Sequence, residues 1–313
     1  NLCQWQKEMF EMIDRLRFYP CITTWVVFNE GWGQHNTVEI VNKVIKYDDT
    51  RLINGVTGWT DRGVGDMYDV HNYPVTSMIL PENNGNRISV LGEFGGYGWA
   101  IKEHIWNPNM RNWGYKNIDG AMALIDSYGR LVYDLETLIA QGLSAAVYTQ
   151  TTDVEGEVNG LITYDRKVTK IPEGLLHLMH NRLYEITPAK AVTLIADGQN
   201  GSKNTRLVSL NGQELKMTSL PFECPPRSTV VSEATFKVDK DFNHLSLWLN
   251  VAGEAKVWLN GVEVFAQEAK QTRQYNQYNI SDYSRYLRKG SNLLRIEVKD
   301  SKKMRFDYGL RAY

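Results

Sequence analysis

The chain has 313 residues, 42% of them apolar and 23% charged, with 35 basic against 36 acidic side chains and a formal net charge of -1. That balance excludes a disordered polymer and leaves room for two domains or one large barrel. It offers no electrostatic reason to expect nucleic acid or an anionic membrane as partner, and no apolar stretch is long enough to span a bilayer as a helix. Cys3, Cys21 and Cys224 are odd in number and far apart, which points to buried free thiols and against a disulfide framework or a cysteine metal site. The chain starts at Asn1 without a charged-then-apolar leader, as a processed or trimmed chain would.

Apolar positions at helical spacing predict a first helix over 4–18, ended by Tyr19-Pro20. The run Ile22 to Phe28 reads as a buried strand that delivers Asn29-Glu30, and a Gly/Trp loop, 31–36, leads into an amphipathic helix over 37–47. Short strands are expected over 51–56, 67–71 and 88–93, the last ending in Gly92-Glu93-Phe94. A long helix over 121–141 with Gly142 as its stop, a strand over 145–150 and a helix over 173–184 with Pro172 in its first turn complete the first part. Strands alternating with long crossovers imply a parallel sheet wrapped by helices, either doubly wound or a β/α barrel. Near Thr187-Pro188 the pattern changes to short alternating runs, 234–238, 244–249, 255–259, 262–266 and 292–298, punctuated by Asn-Gly and Lys-Gly turns. This is a β-sandwich signature. Residues 188–235, rich in Gly, Asn, Ser and Pro, read as linker, first strands or both.

Glu30 and Glu93 each stand one step past an apolar strand. Parallel α/β folds place chemistry at the carboxyl ends of their strands, and two carboxyl groups facing across a pocket are the minimum equipment for breaking a glycosidic bond. Either residue alone reads as readily as a solvated surface acid.

The segments Trp25-Val26-Val27-Phe28-Asn29-Glu30-Gly31-Trp32-Gly33-Gln34 and Leu91-Gly92-Glu93-Phe94-Gly95-Gly96 resemble the acid/base and nucleophile signatures of family 2 glycoside hydrolases, the β-galactosidase, β-mannosidase and β-glucuronidase group. Asp69-Val70-His71-Asn72-Tyr73-Pro74 falls where strand six of that family's barrel should end, and 148–161 resembles its strand-eight exit. The stretches 257–264 and 287–294 are similar to the family's jelly-roll, galactose-binding-like domains. The resemblance implies an α/β plus all-β chain: residues 1–187 as the C-terminal portion of a (β/α)8 TIM barrel, strands four to eight, and 188–313 as a jelly-roll β-sandwich. Strands one to three are then expected from a preceding segment of the same polypeptide or from another chain, because five strands cannot close an eight-stranded barrel.

By resemblance Glu30 is the acid/base and Glu93 the nucleophile of a retaining exo-β-glycosidase, periplasmic or extracellular, with no cofactor. Its partner is a β-linked oligosaccharide or glycoside. Ionised Glu93 keeps a proton on Glu30, and the repulsion disappears once Glu93 is esterified. A carboxyl separation of roughly 5 Å is expected. Asn29 is expected at the sugar 2-hydroxyl and Tyr73 on Glu93. His71 reads equally as a substrate ligand or a packed histidine, and no second His or Cys at ligand spacing supports a metal. Trp32, Gln34, Trp99, Gln150 and Asp153 are candidates for the pocket wall. The positions that would align with a uronate-recognising Asn-x-Lys pair hold Glu157 and Asn159, which supply no cation. A neutral sugar is therefore expected, β-galactose first and β-glucose or β-mannose behind it. The competing expectation is a non-catalytic carbohydrate-binding or structural fragment in which both acids are relics.

Overall fold

The computed structural model describes residues 2–198, 204–269, 275–300 and 302–313. They form two compact units, one of residues 1–124 with 142–172 and the other of 125–141 with 173–313.

The first unit opens on α1 (Leu2–Leu16), which ends two residues earlier than its apolar pattern predicts because the chain tightens into a turn there, Tyr19 N–H bonding Leu16 O three residues back just before Pro20. Met9 and Ile13 of α1, Trp25, Val27 and Phe28 of β1 (Thr24–Asn29), Ile40, Val41 and Val44 of α2 (Thr37–Tyr47), and Ile53 and Val56 of β2 (Leu52–Thr57) share one apolar core. β1 and β2 pair in parallel with Asn29 opposite Thr57, so both strands end at one level. A second parallel sheet has the order β3 (Met67–Asn72), β4 (Ile88–Gly95), β7 (Leu143–Thr149). Between β4 and β7 lie the two-residue strands β5 (Tyr97–Gly98) and β6 (Lys116–Asn117). The sheets are tied by Asn54 on β2, whose Nδ2 donates to Asp69 Oδ2 on β3 at 2.6 Å. Val26 on β1 and Val147 on β7 stay 50% and 57% exposed, and neither strand has a further partner among the described residues.

The second unit combines α3 (Ala121–Ala140), all but the first turn of which belongs to it, and α4 (Glu173–Tyr184) with antiparallel strands. Six of these strands form one sheet in the order β10 (Gln213–Leu220), β9 (Asn204–Leu210), β12 (Ser228–Val238), β17 (Gly290–Asp300), β14 (Glu254–Leu259), β15 (Val262–Gln267). The other sheet is β11 (Phe222–Cys224), β18 (Met304–Ala312), β13 (Leu245–Asn250), β16 (Asn276–Asn279), with β8 (Val192–Ile195) also on β18. Ser232 of the first sheet and Tyr308 of the second share a buried hydrogen bond of 2.9 Å. Residues 188–235 are thus mostly strands; 199–203 lie outside the described residues. The Asn211-Gly212 and Asn260-Gly261 hairpins take positive φ at both positions, as a two-residue turn matched to strand twist requires. α3 is clamped to the end of β16: Asn279 N donates to Asp134 Oδ1 and its Nδ2 to Tyr133 O, both at 2.8 Å.

One expectation is corrected at two positions. Cys3 and Cys21 are exposed, because Cys3 lies on the outer face of α1 and Cys21 in the turn before β1; Cys224 is buried. Among the described residues no helix is long and apolar enough to cross a membrane.

Candidate active site

The site is built from strand ends of the first unit. β1 and β2 end side by side, and the hydroxyl of Thr57 donates to Asn29 Oδ1. Asn29 is therefore already held by its neighbouring strand. Glu30 follows with φ of +53°, a left-handed conformation that turns its side chain out of the strand.

Glu93 is aimed by a different device. In the β3–β4 ladder Val70 pairs with Leu91, but His71 pairs with Glu93, so Gly92 is an extra, unpaired residue. Such a bulge breaks the strict alternation of faces and re-aims the side chain that follows. The carboxylate of Asp69, buried on β3, fills the space this creates: its Oδ1 accepts from Gly92 N at 2.8 Å and its Oδ2 from Asn54. Burial is the largest influence on that carboxyl and pushes its pKa up against those hydrogen bonds. A Cβ on residue 92 would sit 2.2 Å from Asp69 Oδ2, so only glycine fits. Gly92→Ala is expected to cost about 1–3 kcal/mol or more by overpacking, measured by denaturant unfolding; parent-like stability would contradict this account of the bulge.

These devices bring the acids together. One oxygen of Glu30, one of Glu93 and a ring nitrogen of His71 lie within 4.8 Å of one another. His71 Nδ1 is 2.7 Å from Glu30 Oε1 and 3.5 Å from Glu93 Oε2, and Asp69 Oδ1 lies 4.0 Å from Nε2. His71 is buried between the acids. The Tyr73 hydroxyl donates to Glu93 Oε2 and lies 2.9 Å from Thr149 Oγ1 at the end of β7. Burial first, then the bond to Glu93, pushes the Tyr73 phenol up, so it remains a donor across the physiological range. The three clustered donors would also suit a divalent cation in type. Here His71 Nδ1 is bonded to Glu30 Oε1 and the Tyr73 phenol to Glu93 Oε2, so one oxygen of each carboxylate is engaged by a neighbouring side chain.

The pocket-wall candidates separate. Trp32 is 79% exposed beside Glu30. Gln34 is held to Thr60, its Nε2 donating to Thr60 O at 3.1 Å. Gln150 donates to Asn159 Oδ1 at 2.8 Å, and Asn159 in turn donates to Glu157 Oε1 at 2.8 Å. Asp153 is not a wall residue in this geometry. It is buried, accepting from Lys170 Nζ at 2.7 Å and from Gly160 N at 2.8 Å. Trp99 is tied to the same ammonium, which donates to its carbonyl at 2.8 Å.

Two further residues belong to the cluster. Tyr115 stacks flat on Tyr73, ring centroids 3.5 Å apart, and burial followed by the charge of Glu157 pushes its phenol up. Trp59 donates its indole N–H to the Glu30 carbonyl at 2.9 Å and stands edge-on to His71. Neither lies in a motif; the aromatic loops Trp113-Gly114-Tyr115 and Gly58-Trp59 were the available signals.

No protein-family model and no curated protein matches the chain. Among solved structures it is similar to glycoside hydrolases. These include a β-D-glucuronidase of Dictyoglomus thermophilum, 12% identical with a TM-score of 0.27 over 36% of this chain and 20% of that one. A Ruminococcus gnavus β-glucuronidase is 10% identical, TM-score 0.29, over 41% of this chain and 30% of that one. A β-D-mannosidase of D. thermophilum is 12% identical, TM-score 0.27, over 36% and 16%. The chain thus spans less than a third of the length of each. At these scores the functional reading rests on the site itself.

Proposed function

We propose that this chain carries the catalytic pair of a retaining exo-β-glycosidase, with Glu93 as nucleophile and Glu30 as acid/base. The observation that carries the reading is the approach of the two strand-end carboxylates to within 4.8 Å while Tyr73 holds one and His71 the other. That spacing suits direct attack and leaves too little room for the water an inverting enzyme places between its acids, which needs roughly 6.5–9.5 Å.

In the first step Glu93 attacks the anomeric carbon as the glycosidic C–O bond breaks, and Glu30 gives its proton to the departing oxygen. In the second, water attacks the glycosyl ester, Glu30 takes the water's proton and Glu93 is released. Tyr73 fixes the attacking carboxylate in line. Asn29, held by Thr57, is placed beside Glu30 for the sugar's 2-hydroxyl. The sugar is neutral, β-galactose first: the positions past β7 present the Glu157 carboxylate hydrogen-bonded to Asn159, which would repel a uronate. The open edges of β1 and β7, with Val26 and Val147 uncovered, accept further parallel strands, which we assign to a preceding barrel half of the same polypeptide or to another chain.

The test is a panel of nitrophenyl β-glycosides offered to the polypeptide that carries this chain, with Glu93→Gln as control. Turnover abolished by that change supports the reading; no turnover on any sugar favours a carbohydrate-binding fragment. Tyr73→Phe removes a hydrogen bond to a charged group, worth about 1.5–3 kcal/mol. A roughly 10–150-fold fall in kcat/KM is therefore expected in steady-state assays, and an unchanged value would contradict the role of Tyr73.

A further inference from the structure

The carboxyl end of β2 carries a turn that the two-acid chemistry does not use. Thr60, a β-branched residue, takes φ of +64°, and Glu30 beside it takes +53°. Non-glycine residues in this region are costly and gather where a fixed geometry serves a site. The turn is held from three directions. Gln34 Nε2 donates to Thr60 O at 3.1 Å, Thr60 Oγ1 donates to Gln34 Oε1 at 2.8 Å, and Trp59 Nε1 donates to Glu30 O at 2.9 Å.

What the turn presents is Trp59. Its ring is 46% exposed, yet it is fixed to the backbone of Glu30 and edge-on to His71 at 5.8 Å, the same His71 that bonds the Glu30 carboxylate. Beside the turn opens a cleft of about 350 Å3 lined by Gly31, Gln34, Asn36, Thr60 and Arg62. That volume lies within the span of small-molecule pockets, about 300–1,000 Å3. The lining offers amide, hydroxyl and guanidinium groups; Asp61 next to Arg62 is committed elsewhere, to Arg87 at 2.7 Å.

We infer that Trp59, with the cleft beside it, forms the leaving-group subsite, and that the group it receives is a sugar ring. The inference rests on the glycosidase reading. The departing oxygen takes the proton of Glu30, so the departing group must lie on the Glu30 side, away from the attacking Glu93. Trp59 and the cleft adjoin Glu30 at the ends of β1 and β2, whereas Glu93 belongs to β4. A pyranose shows both an apolar face and a ring of hydroxyls. The first suits a fixed, half-exposed indole and the second suits Gln34, Thr60 and Arg62. The natural substrate is therefore an oligosaccharide, not a glycoside of a small apolar alcohol.

The test compares two substrates of the preferred sugar in the full polypeptide: a β-linked disaccharide, whose leaving ring fills the subsite, and the methyl β-glycoside, whose leaving alcohol needs the same proton but does not fill it. Trp59→Ala is expected to lower kcat/KM for the disaccharide by 10–100-fold, and for the methyl glycoside by at least ten times less. Arg62→Ala, which changes an exposed side chain and leaves the turn intact, is expected to give a smaller loss of the same selectivity. Equal losses on both substrates, or no loss on the disaccharide, in both variants would overturn the subsite while leaving the two-acid reading standing. A parent that hydrolyses neither substrate would overturn both.

Discussion

Glu93→Gln in the polypeptide that carries this chain is expected to reduce hydrolysis of every β-glycoside to background, the largest effect of any single change in the site. An amide is nearly isosteric with the carboxylate and can still accept from Tyr73, so the fold and the pocket should persist while the attacking charge is lost. Glu30→Ala is expected to behave differently. Loss of general acid catalysis costs about 10²–10⁴-fold, and that cost should be concentrated on substrates with poor leaving groups, because an activated aryl group departs without a proton. Azide sharpens the distinction. Added to Glu30→Ala it should attack the glycosyl–Glu93 ester and yield a β-glycosyl azide; added to Glu93→Ala it should enter from the vacated side and yield the α-product. Exchanged products would reverse the two assignments.

The second large effect is on stability. The Lys170 ammonium is fully buried and donates to Asp153 Oδ1, Trp99 O and Val158 O at 2.7–2.9 Å. Burial pushes the Asp153 carboxyl up and the Lys170 ammonium down, and the ion pair opposes both. Lys170→Met would strand a buried carboxylate and two carbonyls. Breaking such a pair costs about 3–5 kcal/mol, a fall in Tm of roughly 6–20 °C for a unit of this size. The sign of its pH dependence follows from the raised carboxyl. A group whose folded pKa lies above the unfolded value costs nothing below that unfolded value, near 3.9, and its full penalty appears only above the folded pKa. The deficit of Lys170→Met relative to the parent should therefore shrink as pH is lowered toward about 4. A deficit independent of pH would mean lost packing and not a stranded charge.

The first unit's strands were legible because a buried parallel strand is written as an unbroken apolar run, and Glu30 and Glu93 were conspicuous as the polar residues that end two such runs. α2 and α4 match their predicted limits for a related reason, since helical spacing and a turn or proline mark both ends. What supports the acids was not legible. The bulge at Gly92 depends on an aspartate 23 positions earlier, and the stack of Tyr115 on Tyr73 and the bond from Trp59 to Glu30 join loops distant in sequence. Asp153 illustrates the cost. As an acid near a strand end it reads as part of a pocket wall, but Lys170, 17 positions on, draws it into a buried ion pair. In the second unit β16 was not legible because Asn276, Gln277 and Asn279 are polar yet buried, whereas β18 does alternate, Met304, Phe306, Tyr308, Leu310 and Ala312 facing inward, and its signal was present in the sequence.

The stereochemistry of the first-formed product tests the central claim most directly. Following hydrolysis of a β-glycoside by proton NMR within the first minutes, before mutarotation, should show the β-hemiacetal appearing first, as double displacement through Glu93 requires. The α-anomer appearing first would contradict it, because one inversion would mean that water, and not Glu93, attacks the sugar.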